Sequence, residues 1–337
     1  MQALLLTRYG GPEAATLTEV PRPAPRAGEL LVRVVAAGLN PVDFKMRAGE
    51  MRMIRRYRLP IVMGNELSGV VESLGEGVTG FAIGDRVFAR VDKNVMGAFA
   101  EYALVREDHT ARMPASLDFH AAAAVPLAGL TALQALRDEL QVAAGQRLFI
   151  PGGAGGVGTF AIQIAKHLGA YVATTASARG EALVKRLGAD LVIDYTHERF
   201  EGSLEGYDAA FDLVGGDTLA RLWTVLRPGG RVVSIAGPPE PETARKDLGR
   251  GLTLAAAFWF VSLSTRLRAA RHHATYRYLF MHPSGADLAY LASLIDANEL
   301  RVVVDRVFPF AEAETAMAYL ETGRAKGKVV LALDTST

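Results

Sequence analysis

A chain of 337 residues, half of them hydrophobic and with a formal net charge of +1, is long enough for two cored domains and too weakly charged for a dedicated nucleic-acid binder. Its cysteine count of 0 excludes a disulfide framework, thiolate catalysis and cysteine-ligated zinc, and suits a reducing cytoplasm. The apolar run in MQALLLTRYG is too short for a signal-peptide core, and the longest apolar stretch, near 252–263, falls short of the ~20 residues that span a bilayer. A soluble cytoplasmic protein with neither a nucleic-acid nor a membrane partner is expected.

From residue 1 to about 123 the chain is rich in glycine, proline and short alternating apolar runs. Residues 1–6, 29–37, 69–74, 85–89 and 98–105 read as strands, separated by turn signals such as Pro21-Arg22-Pro23 and Gly75-Glu76-Gly77. This predicts a β-rich, barrel-like domain. Over 121–140 the period changes, with Leu127, Leu130, Leu133, Ala135 and Leu136 suggesting a helix that leads into a second domain.

The second domain opens on RLFIPGGAGGVGTFAIQIAKHLGA at 147–170. Leu148, Phe149 and Ile150 read as a short buried strand. Gly153, Ala154, Gly155, Gly156, Val157 and Gly158 fit G-x-G-x-x-G, and Phe160, Ile162, Ile164, Ala165 and Leu168 then recur at helical spacing. Glycines allow the tight turn and close backbone approach to a pyrophosphate, and the helix N-terminus offers free amides and a positive dipole end. Strand and helix keep alternating through 171–176, 181–187, 191–195, 209–214, 218–226 and 231–236, which argues a doubly wound parallel sheet. A helix at 285–298 and short strands at 302–307 and 328–333 close the chain without that rhythm.

Taken together, AGLNPVDFK (37–45), GNELSGVV (64–71), GDRV (84–87), GAFAEY (97–102), PLAGLTA (126–132), the glycine turn, GGR (229–231) and GRAKGKVV (323–330) resemble the zinc-independent quinone oxidoreductase branch of the medium-chain dehydrogenase/reductase superfamily. The resemblance runs nearly end to end. It implies an α/β protein in which a Rossmann sheet, at 124–265, is inserted into a GroES-like β-barrel catalytic domain made of 1–123 and 266–337. It also implies a substrate cleft between the two and a homodimer. Zinc-dependent relatives carry Cys where this chain has Asn40 and His where it has Asn65; amide side chains bind zinc poorly, so no metal is expected.

No acid follows the second Rossmann strand until Glu181, whereas Ser177 and Arg179 stand there. A hydroxyl with a guanidinium suits a 2′-phosphate, which favours NADPH; the plainer alternative is that Arg179 is a solvated helix-start charge. By resemblance, Tyr195 covers that phosphate or the adenine, and Asn40, Thr131, Val214, Gly215, Ala236, Gly237 and Phe280 lie near the nicotinamide. Phe280 also fits an ordinary buried strand, and Lys326 and Lys328 either reach the cofactor phosphates or belong to a solvated tail.

Because the cofactor carries the chemistry, the protein must supply mainly a partner for the developing anion and a proton. Lys45 is a candidate where related reductases carry Lys or Tyr facing the cleft, provided burial moves its pKa toward neutrality. Tyr57 is a second candidate, and water a third. The expected function is therefore NADPH-dependent, metal-free reduction of quinones or α,β-unsaturated carbonyls, including enoyl-type acceptors. Two rivals stay open: a zinc-free alcohol or ketone oxidoreductase, and a low-turnover NADPH-binding sensor. One stretch stands apart. Between Asp247 and Asp287 there is no acidic residue, but there are Arg250, Arg266, Arg268, Arg271 and Arg277 around the apolar run 251–263. It reads as an extended segment serving as a lid or subunit contact, or as an amphipathic helix on a membrane surface.

Overall fold

The computed structural model describes residues 1–92 and 95–333. The chain forms two compact units: Met1–Leu130 together with the chain from Pro283 onward, and Thr131–His282.

The first unit begins with β1 (Gln2–Leu6), β2 (Ala15–Glu19), β3 (Glu29–Leu39), β4 (Ile61–Val62), β5 (Glu66–Leu74), β6 (Arg86–Arg90), β7 (Tyr102–Arg106) and β8 (Thr110–Arg112). After β3 comes a short helix, α1 (Pro41–Ala48). Proline at its first position has no amide to waste, the Asp43 carboxylate accepts from the Asn40 amide at 2.7 Å, and Gly49 ends it in the left-handed region at φ 82°.

The helix expected over 121–140 is broken. It becomes α2 (Phe119–Ala123), α3 (Pro126–Leu133) and a π-helical turn (Gln134–Glu139), because Pro126 cannot continue α2 but starts α3 well. Buried Gln134, where the π-helical turn begins, clamps His282, accepting from its amide at 3.1 Å and donating to its carbonyl at 2.9 Å.

The second unit contains β9 (Arg147–Ile150), α4 (Gly156–His167), β10 (Tyr171–Ala176), α5 (Ala178–Arg186), β11 (Leu191–Asp194), β12 (Tyr207–Asp212), α6 (Gly216–Leu222) and β13 (Leu226–Ser234). It ends with α7 (Leu252–Val261), α8 (Leu263–Arg271) and β14 (Thr275–Tyr278). All six strands pair in parallel in the order β11-β10-β9-β12-β13-β14, so the direction of winding reverses between β9 and β12. That is the doubly wound sheet the alternation predicts, and its switch point is where such sheets bind ligands.

Two expectations need correction here. The apolar run is not extended: with no glycine or proline from 252 to 271 and many strong helix formers, it folds as α7 and α8. Residues 266–282 fall in the second unit rather than in the catalytic part, because β14 completes the parallel sheet against β13.

After His282 the chain returns to the first unit through α9 (Gly285–Asp296), β15 (Val304–Pro309), α10 (Ala313–Glu321) and β16 (Lys328–Ala332). β16 enters the large sheet between β15 and β3, with Val330 opposite Gly38, giving the order β15-β16-β3-β5-β6-β8 with β7 on β3. The core of this unit joins Leu4, Leu30, Val32, Leu67, Val87 and Phe99 to Val329 and Leu331 from the distant C-terminal strand. Helix α2 covers the other face of β3, where Ala36, Ala123, Ala124 and Val330 form a small second core.

Candidate active site

The second unit holds a cradle at the carboxyl ends of its strands. After β9 the chain turns at Gly152, whose φ of 82° suits glycine, and starts α4 at Gly156. A Cβ on Gly153 would stand 2.1 Å from Thr174 Oγ1 and 2.8 Å from Ile162 Cδ1; one on Gly158 would stand 2.6 Å from the Gly152 carbonyl and 2.7 Å from Gly153 Cα. These two positions let helix and strand close on each other. Gly155 is different: its added Cβ would meet only the Gly152 carbonyl at an ordinary 3.5 Å, so there the glycine keeps the outer surface open to an incoming group. Helix geometry leaves the amides of Gly156, Val157 and Gly158 without intrahelical acceptors. Thr174 and Thr175 brace the turn from β10: Thr175 Oγ1 accepts from the Gly152 amide at 2.9 Å and Thr174 Oγ1 donates to the Ile150 carbonyl at 2.6 Å. The cradle fits a dinucleotide pyrophosphate.

Along the same edge, Ser177 stands at the N-cap position of α5 after β10 with its hydroxyl making no capping bond, and Arg179 lies exposed in the first turn with no partner among the described residues. Tyr195 follows β11 and is exposed, beside Ser177 by the register that sets Ala176 against Asp194. Toward the other side, Val214 and Gly215 follow β12, and Ala236 and Gly237 follow β13. Gly215, at φ 73°, brings its Cα so close to Ala236 that a Cβ would meet the Ala236 carbonyl at 2.4 Å. Val214 is exposed, with its Cγ2 3.2 Å from where a Gly152 Cβ would be.

What holds those two turns is a pair not foreseen from the sequence. Asp212 is fully buried; one carboxylate oxygen accepts from the Val214 and Gly215 amides at 3.1 and 2.9 Å, the other from Ser234 Oγ at 2.6 Å. Ser234 Oγ in turn accepts from the amides of Ala236 and Gly237, at 3.1 and 2.7 Å. Burial pushes the Asp212 carboxyl up, opposed by these hydrogen bonds. The sequence signal was an acid closing an apolar strand, where a plain surface strand end is the commoner case.

Phe280 is half-buried just past β14, its amide donating to Asp247 at 3.0 Å; it is not within a strand. Thr131 is buried on α3. The arginine-rich window contains one residue of a different kind: Arg277 is buried on β14 and ringed by Glu240 at 2.8 Å, Asp247 at 2.5 Å and Glu139 at 3.3 Å, so it is a structural cation and not part of a basic surface.

In the first unit, Asn40, Asp43, Asn65, Glu66 and Lys328 form one buried network. Lys328 Nζ donates to Glu66 Oε1 and Asn40 Oδ1, both at 2.6 Å, and to the Leu39 carbonyl at 3.0 Å. Asn40 Nδ2 donates to Glu66 at 2.7 Å, and the Leu127 amide reaches the other Glu66 oxygen at 2.6 Å. Asn65 Nδ2 donates to Asp43 at 2.6 Å. Burial pushes the Asp43 carboxyl up to about 6 against the pull of the Asn65 and Asn40 hydrogen bonds. Lys328 is therefore neither a solvated tail residue nor a free phosphate ligand, because a buried carboxylate holds it. Asn40 spends both ends of its amide in this network. Lys326 is half-buried two residues before Lys328.

Lys45 lies exposed on α1, so the burial on which its role as proton donor depended is absent. Tyr57 is half-buried; desolvation pushes its phenol up to about 12, against the charges of Arg90 and Arg55. It therefore stays protonated across the neutral range. No three His, Cys, Asp or Glu residues stand together as a metal site among the described residues.

Comparison with known proteins places these features among relatives. Residues 26–115 match the family model described as alcohol dehydrogenase GroES-like domain, and 187–331 the one described as zinc-binding dehydrogenase. The chain is 35% identical to the NADPH-dependent alkenal/one oxidoreductase, chloroplastic, of Arabidopsis thaliana, over 98% of this chain and 79% of that protein. It is equally similar, 35% over the same shares, to the 2-methylene-furan-3-one reductase of Solanum lycopersicum. Among solved structures, the quinone oxidoreductase from Coxiella burnetii superposes with a TM-score of 0.85 at 34% identity, covering 99% of both chains.

Proposed function

The chain belongs to the medium-chain dehydrogenase/reductase superfamily, in its quinone oxidoreductase branch, and from that premise we propose that it is an NADPH-dependent reductase of quinones or α,β-unsaturated carbonyls. The observation that carries the cofactor choice is the unpaired guanidinium of Arg179 beside the Ser177 hydroxyl, one strand over from the glycine cradle. When bound, NADPH supplies a hydride to an electron-poor carbon or quinone.

The rest is the work of this chain's residues. The free amides at the start of α4 hold the pyrophosphate, Ser177 and Arg179 the 2′-phosphate, and Tyr195 flanks the adenosine. Asp212 and Ser234 fix the Val214-Gly215 and Ala236-Gly237 turns, which with Thr131 and Phe280 are assigned to the nicotinamide end. Lys326 is assigned to the cofactor phosphates. The proton that completes the product comes from water, with Tyr57 as a protonated hydrogen-bond donor.

We read the enzyme as metal-free although one matching family model is described as zinc-binding. What supports this is the donor set: Asn40 and Asn65 are amides, both tied to buried carboxylates, and the ammonium of Lys328 stands against Asn40. Acceptors that are already electron-poor need no Lewis acid, which favours quinones and enones over simple ketones. A homodimer through the free edge of β14 and a cytoplasmic setting belong to the same reading.

The test is NADPH and NADH oxidation against 1,4-naphthoquinone, an enone, a simple ketone and, in reverse, an alcohol, with wild type and Arg179→Ala side by side. Turnover of quinone or enone only, with the NADPH KM raised about tenfold or more in the variant and the NADH KM little changed, is expected. Tight NADPH binding without turnover of any acceptor would replace the reductase by a sensor.

A further inference from the structure

Helix α7 has the sequence LTLAAAFWFV, apolar on every side, yet only one narrow stripe of it is covered. Ala255 and Phe258 are buried, and the stripe continues through Ser262, Thr265 and Ala269 of α8. A helix that is hydrophobic all round is ordinarily enclosed. Here the outer face presents Leu252 at 79% exposure, Phe260 at 70%, Val261 at 47% and Trp259 at 41%. Leu267 of α8 extends it.

The charged residues that α7, α8 and their flanks themselves carry are of one sign. Arg250, Arg268 and Arg271 are exposed with guanidinium groups unpaired by any described residue, and Arg266 lies over the Trp259 ring at 5.6 Å with its Nη1 lacking a hydrogen-bond partner. Of the two carboxylates that line the pocket beside Trp259, Glu240 is buried against Arg277 at 2.8 Å, and Glu242 is exposed at 4.0 Å from the same guanidinium. No other acid interrupts the chain from Asp247 to Asp287.

We propose that the outer face of α7, with the arginines of α8, docks the protein on an anionic bilayer surface. Leucine, phenylalanine and tryptophan enter the headgroup boundary while arginines meet the lipid phosphates, the combination that interfacial helices use. A second copy of the chain suits the face less well, since a two-fold contact would set its arginine rim against itself. No helix among the described residues is long and apolar enough to cross a membrane, so the attachment is peripheral. Docking would bring the second unit to the phase into which apolar quinones and enones partition. It does not depend on the redox reading, because binding needs no turnover.

The experiment is flotation of the full chain with vesicles of phosphatidylcholine alone or with about a third phosphatidylserine, at low and high salt. Flotation with the anionic vesicles only, weakened by salt, is expected. Phe260→Ser and Arg268→Glu should each lower vesicle affinity by about fivefold or more. Retained NADPH binding, read by nicotinamide fluorescence, shows that the variants are folded. The proposal is overturned if the protein stays at the bottom with anionic vesicles at low salt, or if Phe260→Ser floats like wild type. It is equally overturned if that variant changes the oligomeric state in sedimentation while vesicles never bind, which would assign the face to a second copy. Loss of turnover with flotation intact would count against the reductase alone.

Discussion

Lys328 and Glu66 sit 2.6 Å apart with side chains 3% and 0% exposed, so each is tolerable only because of the other. Removing one partner leaves an uncompensated buried charge, which costs far more than the net worth of the pair. Lys328→Met should therefore lower stability by about 3–5 kcal/mol, and Lys328→Met with Glu66→Gln should recover much of it. Urea melts of wild type and the two variants decide this; equal loss in the single and the double would contradict it. Asp43 poses a different demand. Its carboxyl is raised from 3.8 to about 6 by burial, so the folded state holds the proton more tightly than the unfolded one. The sign follows: this group imposes no penalty below about pH 4, and the penalty grows as pH rises through 6. Relative to Asp43→Asn, wild-type stability should fall by about 1–3 kcal/mol between pH 4 and 7, a difference that would be flat if the carboxyl titrated normally.

At the scale of elements, the turn from β9 into α4 shows how close packing and binding share one device. Gly153→Ala places a methyl 2.1 Å from Thr174 Oγ1, and neither α4 nor β10 can yield without opening the sheet. A loss of about 1–3 kcal/mol and at least tenfold weaker NADPH binding is expected, checked by thermal melts and fluorescence titration. Gly155→Ala meets no such obstacle. It should leave stability nearly unchanged while still weakening NADPH, which separates the packing glycine from the ligand-facing one. The helices α7 and α8 make the opposite point. Their residues are good helix formers, yet an apolar run between arginines reads as an extended lid, a subunit contact or a membrane-surface helix until its covered stripe is known.

For the whole molecule, what matters is which unit supplies which chemistry. The cradle, Arg179 and Tyr195 come from the second unit; Tyr57 and the Lys328 network come from the first, whose sheet is completed by β16 from the far end of the chain. If the network of amides, carboxylates and ammonium does the structural work that zinc does elsewhere, dialysis against a strong chelator should leave NADPH turnover unchanged. Metal analysis of the active protein should then find less than stoichiometric zinc. Activity lost to the chelator and restored by zinc would sink the metal-free reading.

Much of this was legible in the residues. Strand, glycine cluster and amphipathic helix at 147–170 define the dinucleotide cradle locally, because a turn of this kind is built from consecutive residues and their own backbone geometry. Alternating strand and helix likewise imply a parallel sheet, and Arg179 in place of an acid is a statement about one position. Tertiary structure alone decided the rest. That Lys328 is buried depends on β16 lying against β3, a pairing between residues nearly 300 positions apart. Asp212 acts as an anchor only because β13 brings Ser234 beside it, and Lys45 is left exposed by the way α1 packs. Burial is a property of what arrives from elsewhere in the chain, and a charge or an apolar face acquires its meaning only when its neighbours, or their absence, are known.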